Sequence, residues 1–190
     1  MRLFGFLIVI SMFLTGCVAH SGAVIDTGER YSPLSAGTED YRLGVGDKVK
    51  ITVFDEPTLS GEFAINADGA IALPLVGNLP AVGKKASEIG EEFQAALANG
   101  YLRDPKVSAE ITTYRPFFVL GEVKLPGQYP YSSGMTVLNA IAVAQGYTPR
   151  ASRAVVYIRR AGSETEQAYR LQPDLRVWPG DTIRVGERYF

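Results

Sequence analysis

The 190-residue chain holds one cysteine and one histidine, has no excess of either charge, and contains no apolar run as long as a bilayer is thick. Each shortage closes a class of function. A single thiol, Cys17, cannot build a disulfide framework, and left free it would be a liability in an oxidising compartment. A single imidazole, His20, leaves histidine-based catalysis and metal ligation almost nothing to use. With 19 basic against 20 acidic residues and no run of either sign, nothing calls for nucleic acid, which normally asks for a basic face, and none is expected as a partner. The longest apolar run past Cys17, Val137 to Ala144, falls far short of the roughly 20 residues that a helical span requires.

What is present begins at the N-terminus. "MRLFGFLIVISMFLTGC" places one positive charge, Arg2, before about a dozen mostly apolar residues, which is the layout of a secretory signal peptide over residues 1–16. Residues Leu14 to Cys17, "LTGC", resemble the lipobox of bacterial lipoproteins: a leucine, two small residues, and a cysteine that is acylated before cleavage. Cys17 is therefore the expected lipidation residue, carrying palmitate-type chains, and two or more such chains make the attachment stable. Ordinary cleavage near "CVAH" is the competing reading. Val18 and Ala19 follow without the Asp that would signal inner-membrane retention, so the expected address is the periplasmic face of the outer membrane.

The 46% apolar share of the whole sequence is that of a folded chain. Residues 17–40 mix Gly, Ser, Thr and charge without sustained period, and read as a lipid-anchored tether. Val49, Ile51 and Val53 then alternate with Lys48, Lys50 and Thr52, the period of a half-buried strand. Asp68-Gly69 between apolar runs predicts a hairpin, and Pro74 predicts that its second arm bends or lies at an edge. A helix follows, with Ser87 as N-cap, Ile89, Phe93, Ala96 and Leu97 on one face, and Gly100 as its stop. Val107, Ala109 and Ile111 return to period 2.

The second half uses the same parts. Two strands flank Lys124 to Gly127, and Thr136 caps a helix whose Val137, Leu138, Ile141 and Ala144 face the core, with Gly146 at C′. Two further strands join at Ala161-Gly162. Gly180-Asp181 before Ile183 and Val185 echoes Gly46-Asp47 before Val49 and Ile51. The expected fold is α+β: two small β-rich domains, over 41–114 and 115–190, each with one main helix.

At these residues the chain resembles the Wza-like outer-membrane polysaccharide export proteins. The Gly-x-Gly-Asp turn, the Asp-Gly hairpin leading to "IALPLVG", a Gly before the helix and the "DPKV" strand are similar to their polysaccharide export domain. "GEVKLPGQY", the helix ending in "AQG" and the closing "PGDTIRVGERYF" resemble the β-grasp-like SLBB module that follows it. The resemblance implies a homo-oligomeric ring for capsular or exopolysaccharide. It also implies an inner-membrane polysaccharide co-polymerase or tyrosine autokinase as partner, and no cofactor. Because the chain stops at Phe190 without the C-terminal amphipathic helix of full-pore members, it is expected as a short form, a collar beneath a separate outer-membrane pore.

No catalytic constellation emerges beside it. Gly44, Gly46, Gly121, Gly127 and Gly180 read as turn positions, and Asp47 and Asp181 as turn caps. Asp55 and Glu56, neighbours on a strand, would point to opposite faces and cannot converge on one glycosidic bond. Tyr101, Tyr114, Tyr129, Tyr131, Tyr147 and Tyr157 read as core-edge or interface residues. Two functional classes remain open at this point: an export ring, and a lipoprotein that captures a soluble saccharide or cell-wall ligand without transporting it.

Overall fold

The computed structural model describes Val24, Ile25 and residues 41–188; the expected signal peptide over 1–16 and the expected lipidation residue Cys17 lie outside the described residues. The fold is α+β, as the residue patterns imply. β1 (Lys48–Val53) alternates strictly between exposed and buried residues, burying Val49, Ile51 and Val53. It is the centre of a three-stranded sheet between β2 (Gly61–Ala64) and β5 (Val107–Thr113), antiparallel to both.

Helix α1 (Ala86–Ala98) covers that sheet with Ile89, Gly90, Phe93 and Leu97. Full burial of side chains such as Phe93 and Leu97 stabilises by about 1.5–3 kcal/mol each. Gly90 completes the stripe because α1 runs close to β5: a Cβ there would stand 3.4 Å from that of Ala109. The N-cap is Lys85, not Ser87, which is already helical; the Glu88 carboxylate reaches back to accept from Lys85 N at 2.8 Å and does the capping work. Gly100, at φ +99°, follows the C-cap Asn99 and stops the helix as expected.

The Asp68-Gly69 turn is present, with Gly69 at φ +79° and Asn66 Oδ1 accepting from Ala70 N at 2.9 Å. Its arms diverge, however. β2 continues onto β1, whereas β3 (Ala70–Leu73) turns at Pro74 and pairs with β4 (Gly77–Pro80), leaving only an Ile65 to Ile71 bridge across the turn. Pro74 supplies the expected bend; β4 itself carries no visible period.

The second sheet contains β6 (Phe117–Gly121), β7 (Gly127–Tyr129), β8 (Ala151–Arg159), β9 (Gln167–Arg170) and β10 (Thr182–Glu187), in the order β7-β6-β10-β8-β9. β6 and β10 run parallel at its centre and the outer pairs are antiparallel, a β-grasp-like arrangement. Gly121 permits the central pairing, for a Cβ at its φ of +81° would lie 2.1 Å from Val185 O.

Helix α2 (Val137–Val143) is capped by Thr136, whose hydroxyl accepts from Asn139 N at 3.4 Å. Its core stripe is Val137, Ala140, Ile141 and the following Ala144; Leu138 is 37% exposed and is not part of it. Gly146 is also displaced by one position. Gln145, at φ +64°, holds the left-handed C′ site, and Gly146 N bonds Ile141 O at 2.9 Å as C″ of a Schellman motif.

Two buried clusters result, one built around Ile51, Phe93 and Leu97 and the other around Phe117, Ile158 and Ile183. Within the stretch read as a featureless tether, Ile25 forms a parallel bridge to Tyr169 on β9. No helix among the described residues is long and apolar enough to cross a membrane.

Candidate functional site

The echoed Gly-Asp pairs are one device used twice. In the first, Asp47 N donates to Gly44 O at 3.1 Å and Gly44 N donates to Asp47 Oδ2 at 2.7 Å. In the second, Asp181 N donates to Trp178 O at 3.1 Å and Trp178 N donates to Asp181 Oδ2 at 2.8 Å. Each turn launches the central strand of its sheet, β1 or β10, and each needs a left-handed residue before the aspartate, met by Gly46 (φ +90°) and Gly180 (φ +83°). Both aspartates cap their turns, as their spacing implies.

Both carboxylates are fully buried, and a buried charge is tolerated only when paired and hydrogen-bonded. Arg115 serves Asp47, with Nη1 at 3.3 Å from Oδ2 and its backbone N donating to Oδ1 at 2.7 Å. Arg160 serves Asp181 at 2.5 Å. Arg115 does more, since its Nε donates to Pro179 O at 3.0 Å while Gly180 N donates to Pro116 O at 3.0 Å. One arginine at the junction of the halves thus joins the turn of the first sheet to the turn of the second.

Gly44 and Gly180 make room for it. A Cβ on Gly44 would stand 1.6 Å from Arg115 Nη1, and one on Gly180 2.7 Å from Nε. Tyr41 OH donates to Asp47 Oδ2 at 2.6 Å, and rings run edge to face from Tyr41 to Tyr114 at 4.9 Å and on to Tyr131 at 5.3 Å. Trp178, from the second half, packs against the core cluster of the first, with the Arg176 guanidinium 4.2 Å over its ring.

Burial, reinforced by the neighbouring Asp47, pushes the Tyr41 hydroxyl far above the usual phenol range. Burial likewise raises Tyr114 and Tyr131. Asp181 is raised by burial against the opposing pull of Arg160 and its N–H donors. Asp47 is surrounded by four donors, from Tyr41, Gly44 and twice from Arg115, so its lone pairs are engaged in holding the seam and are not offered to a substrate. The chemistry available here is positioning.

The other singled-out residues lie apart from the seam. Asp55 and Glu56 are not on a strand, because β1 ends at Val53 and Asp55 sits in a turn at φ +59°; the two carboxylates are separated by that turn and not by a strand's alternation. Tyr101 is exposed, Tyr129 and Tyr147 pack at the edge of the second core, and Tyr157 lies under Arg184 at 4.1 Å. Among the described residues no group of three or more His, Cys, Asp or Glu gathers to hold a metal. Arg115, Arg160 and Trp178 escape sequence reasoning. The recurring Gly-Asp pair was the available signal, since a buried aspartate demands a cation, but nothing in its spacing says which.

Residues 35–112 match the family model described as polysaccharide biosynthesis/export protein, and residues 116–169 match the SLBB domain. The exopolysaccharide production protein ExoF of Rhizobium meliloti (strain 1021) is 39% identical over 123 residues, covering 58% of this chain and 29% of that protein. The EPS I polysaccharide export outer membrane protein EpsA of Ralstonia nicotianae is 28% identical over 191 residues, covering 82% of this chain and 50% of EpsA. The polysialic acid transport protein KpsD of Escherichia coli is 25% identical over 197 residues, covering 98% of this chain and 33% of KpsD. The chain spans at most half the length of these relatives.

Proposed function

The chain belongs to the Wza-like family of polysaccharide export proteins, and from that premise we propose that it is a protomer of an export ring. In this reading it is a lipoprotein anchored through Cys17 at the periplasmic face of the outer membrane. It closes with copies of itself into a homo-oligomer through which a capsular or exopolysaccharide passes. Its work is mechanical and not enzymatic.

The observation that carries the reading is the seam. A ring under the load of a moving polymer needs protomers whose two modules keep a fixed relation. Arg115 bonded to both turns, with Trp178 packed across, supplies that rigidity. Two modules this small bury modest cores, and side-by-side packing of like protomers removes further apolar surface from water. On the face of the second sheet opposite α2, Phe118 and Leu120 are exposed while Phe117 and Val119 are buried, and the exposed pair offers such surface. The proposed partner is an inner-membrane polysaccharide co-polymerase or tyrosine autokinase.

Deleting the gene in a polymer-producing host tests the transport claim. Precursor synthesis should continue while surface polymer disappears. Normal surface polymer in a strain with no second copy contradicts export and favours ligand capture.

A further inference from the structure

Ile25 lies along the outer edge of β9. Its backbone N donates to Ala168 O at 2.8 Å, and Arg170 N donates to Ile25 O at 3.1 Å, the two bonds of a parallel bridge centred on Tyr169. Its side chain packs, partly buried, against the second module's core. β9 is the last strand of the five-stranded sheet, and a sheet edge presents main-chain donors and acceptors in register for an added strand. A segment of this chain occupies it.

The consequence is one of length. Eight residue steps run from Cys17 to Ile25, a reach of at most about 29 Å, whereas a tether free up to Tyr41 would run about 24 steps and reach about 86 Å. The tether also passes over the first module's sequence to seat on the second. Charge fits that placement: residues 115–190 carry 10 basic against 6 acidic side chains, while residues 41–114 carry 7 against 10. The basic half is the one held on the short lead, and lipid phosphates attract basic surface.

We propose that the β9 edge is the docking site of the chain's own anchor-proximal segment, converting the tether into a short leash that holds the second module within about 29 Å of the acylated residue. The inference rests on lipidation of Cys17 in its membrane consequence, and on the Ile25 bridge alone in its docking.

Three readouts on the full chain test it. In hydrogen exchange, the Arg170 amide should be protected in the wild type and exchange at least about tenfold faster in Ile25→Pro, which lacks the N–H given to Ala168. Amides of β8 and β10 should be unchanged, showing that the sheet is intact; an Arg170 amide exchanging equally in both proteins overturns the docking. In parallel register the neighbour of Val24 is Ala168, so Val24→Cys with Ala168→Cys should form a disulfide within one chain. Disulfide-linked dimers would assign the segment to a neighbouring copy and overturn the proposal. Finally, a dye on Ser163→Cys in vesicles bearing a bilayer acceptor should show strong energy transfer that falls in Ile25→Pro. Transfer unchanged by that substitution overturns the short leash. Intact mass reports acylation separately, so failure of the lipid anchor is distinguishable from failure of the docking.

Discussion

Arg115 donates to both oxygens of the buried Asp47, from its backbone N at 2.7 Å and from Nη1 at 3.3 Å, across a separation of 68 residues. Its Nε meanwhile holds Pro179 O in the second turn. The relationship makes the junction of the two modules a structural element and not a linker.

Removing that side chain should therefore loosen the whole protein. Arg115→Ala should destabilise by about 2–3 kcal/mol, under the 3–5 kcal/mol typical of a broken buried pair, because Asp47 keeps Tyr41, Gly44 and the backbone N of residue 115 as donors and the arginine is partly exposed. Arg115→Lys should recover less than half, since one ammonium cannot reproduce a guanidinium bonded on two sides. Trp178, the single tryptophan, stands at the seam and reports the urea transition by its fluorescence. An Arg115→Ala midpoint equal to that of the wild type would show that the seam is not held this way.

Two glycines of similar backbone angle should respond very differently. Gly121→Ala adds a Cβ 2.1 Å from Val185 O and must break the β6 and β10 pairing, a cost of about 3 kcal/mol or more. Gly77→Ala, at φ +83° with nothing within 4 Å of the new atom, should cost only about 1 kcal/mol of backbone strain. Thermal unfolding of the two variants side by side measures the difference.

The seam tyrosines give the protein a signed response to alkali. Tyr41, Tyr114 and Tyr131 hold their protons above the usual phenol range, by burial first. The native state then binds more protons than the unfolded chain once pH passes about 10, so stability is intact below that value and declines as pH rises beyond it. Phenolate absorbance should appear in two stages, the second coinciding with unfolding. Tyr41→Phe should shrink that second stage, and complete titration in one stage with the fold retained would contradict the burial argument.

Lipidation has a direct check. Mature protein from membranes should weigh the chain from Cys17 onward plus its acyl groups, and Cys17→Ser should accumulate unprocessed or mislocalised. A free thiol in the mature protein defeats the anchor.

Legibility followed the range of the interaction. β1 was readable because Val49, Ile51 and Val53 alternate over six residues, and the end of α1 because Gly100 is what a left-handed stop requires. Leu138 was misplaced because a seven-residue helix allows two apolar stripes one residue apart; Ala140, small and unremarkable by composition, is the residue the sheet admits. Ser87 lost the cap because Glu88 reaches back to Lys85 by side chain, two residues earlier than a serine rule expects. The seam left only half a trace. Asp47 and Asp181 could be read as turn caps, but their arginines come from distant positions with no periodicity to betray them, and Ile25 finds β9 by main-chain bonds that any residue but proline could make.

The central claim is that rigid protomers close into a ring, and sedimentation of the detergent-extracted protein over a wide concentration range tests it most directly. The account predicts a single species at a fixed multiple of the protomer mass, unchanged on dilution, because heterologous contacts that close leave no free face for further growth. A monomer at every concentration would contradict it.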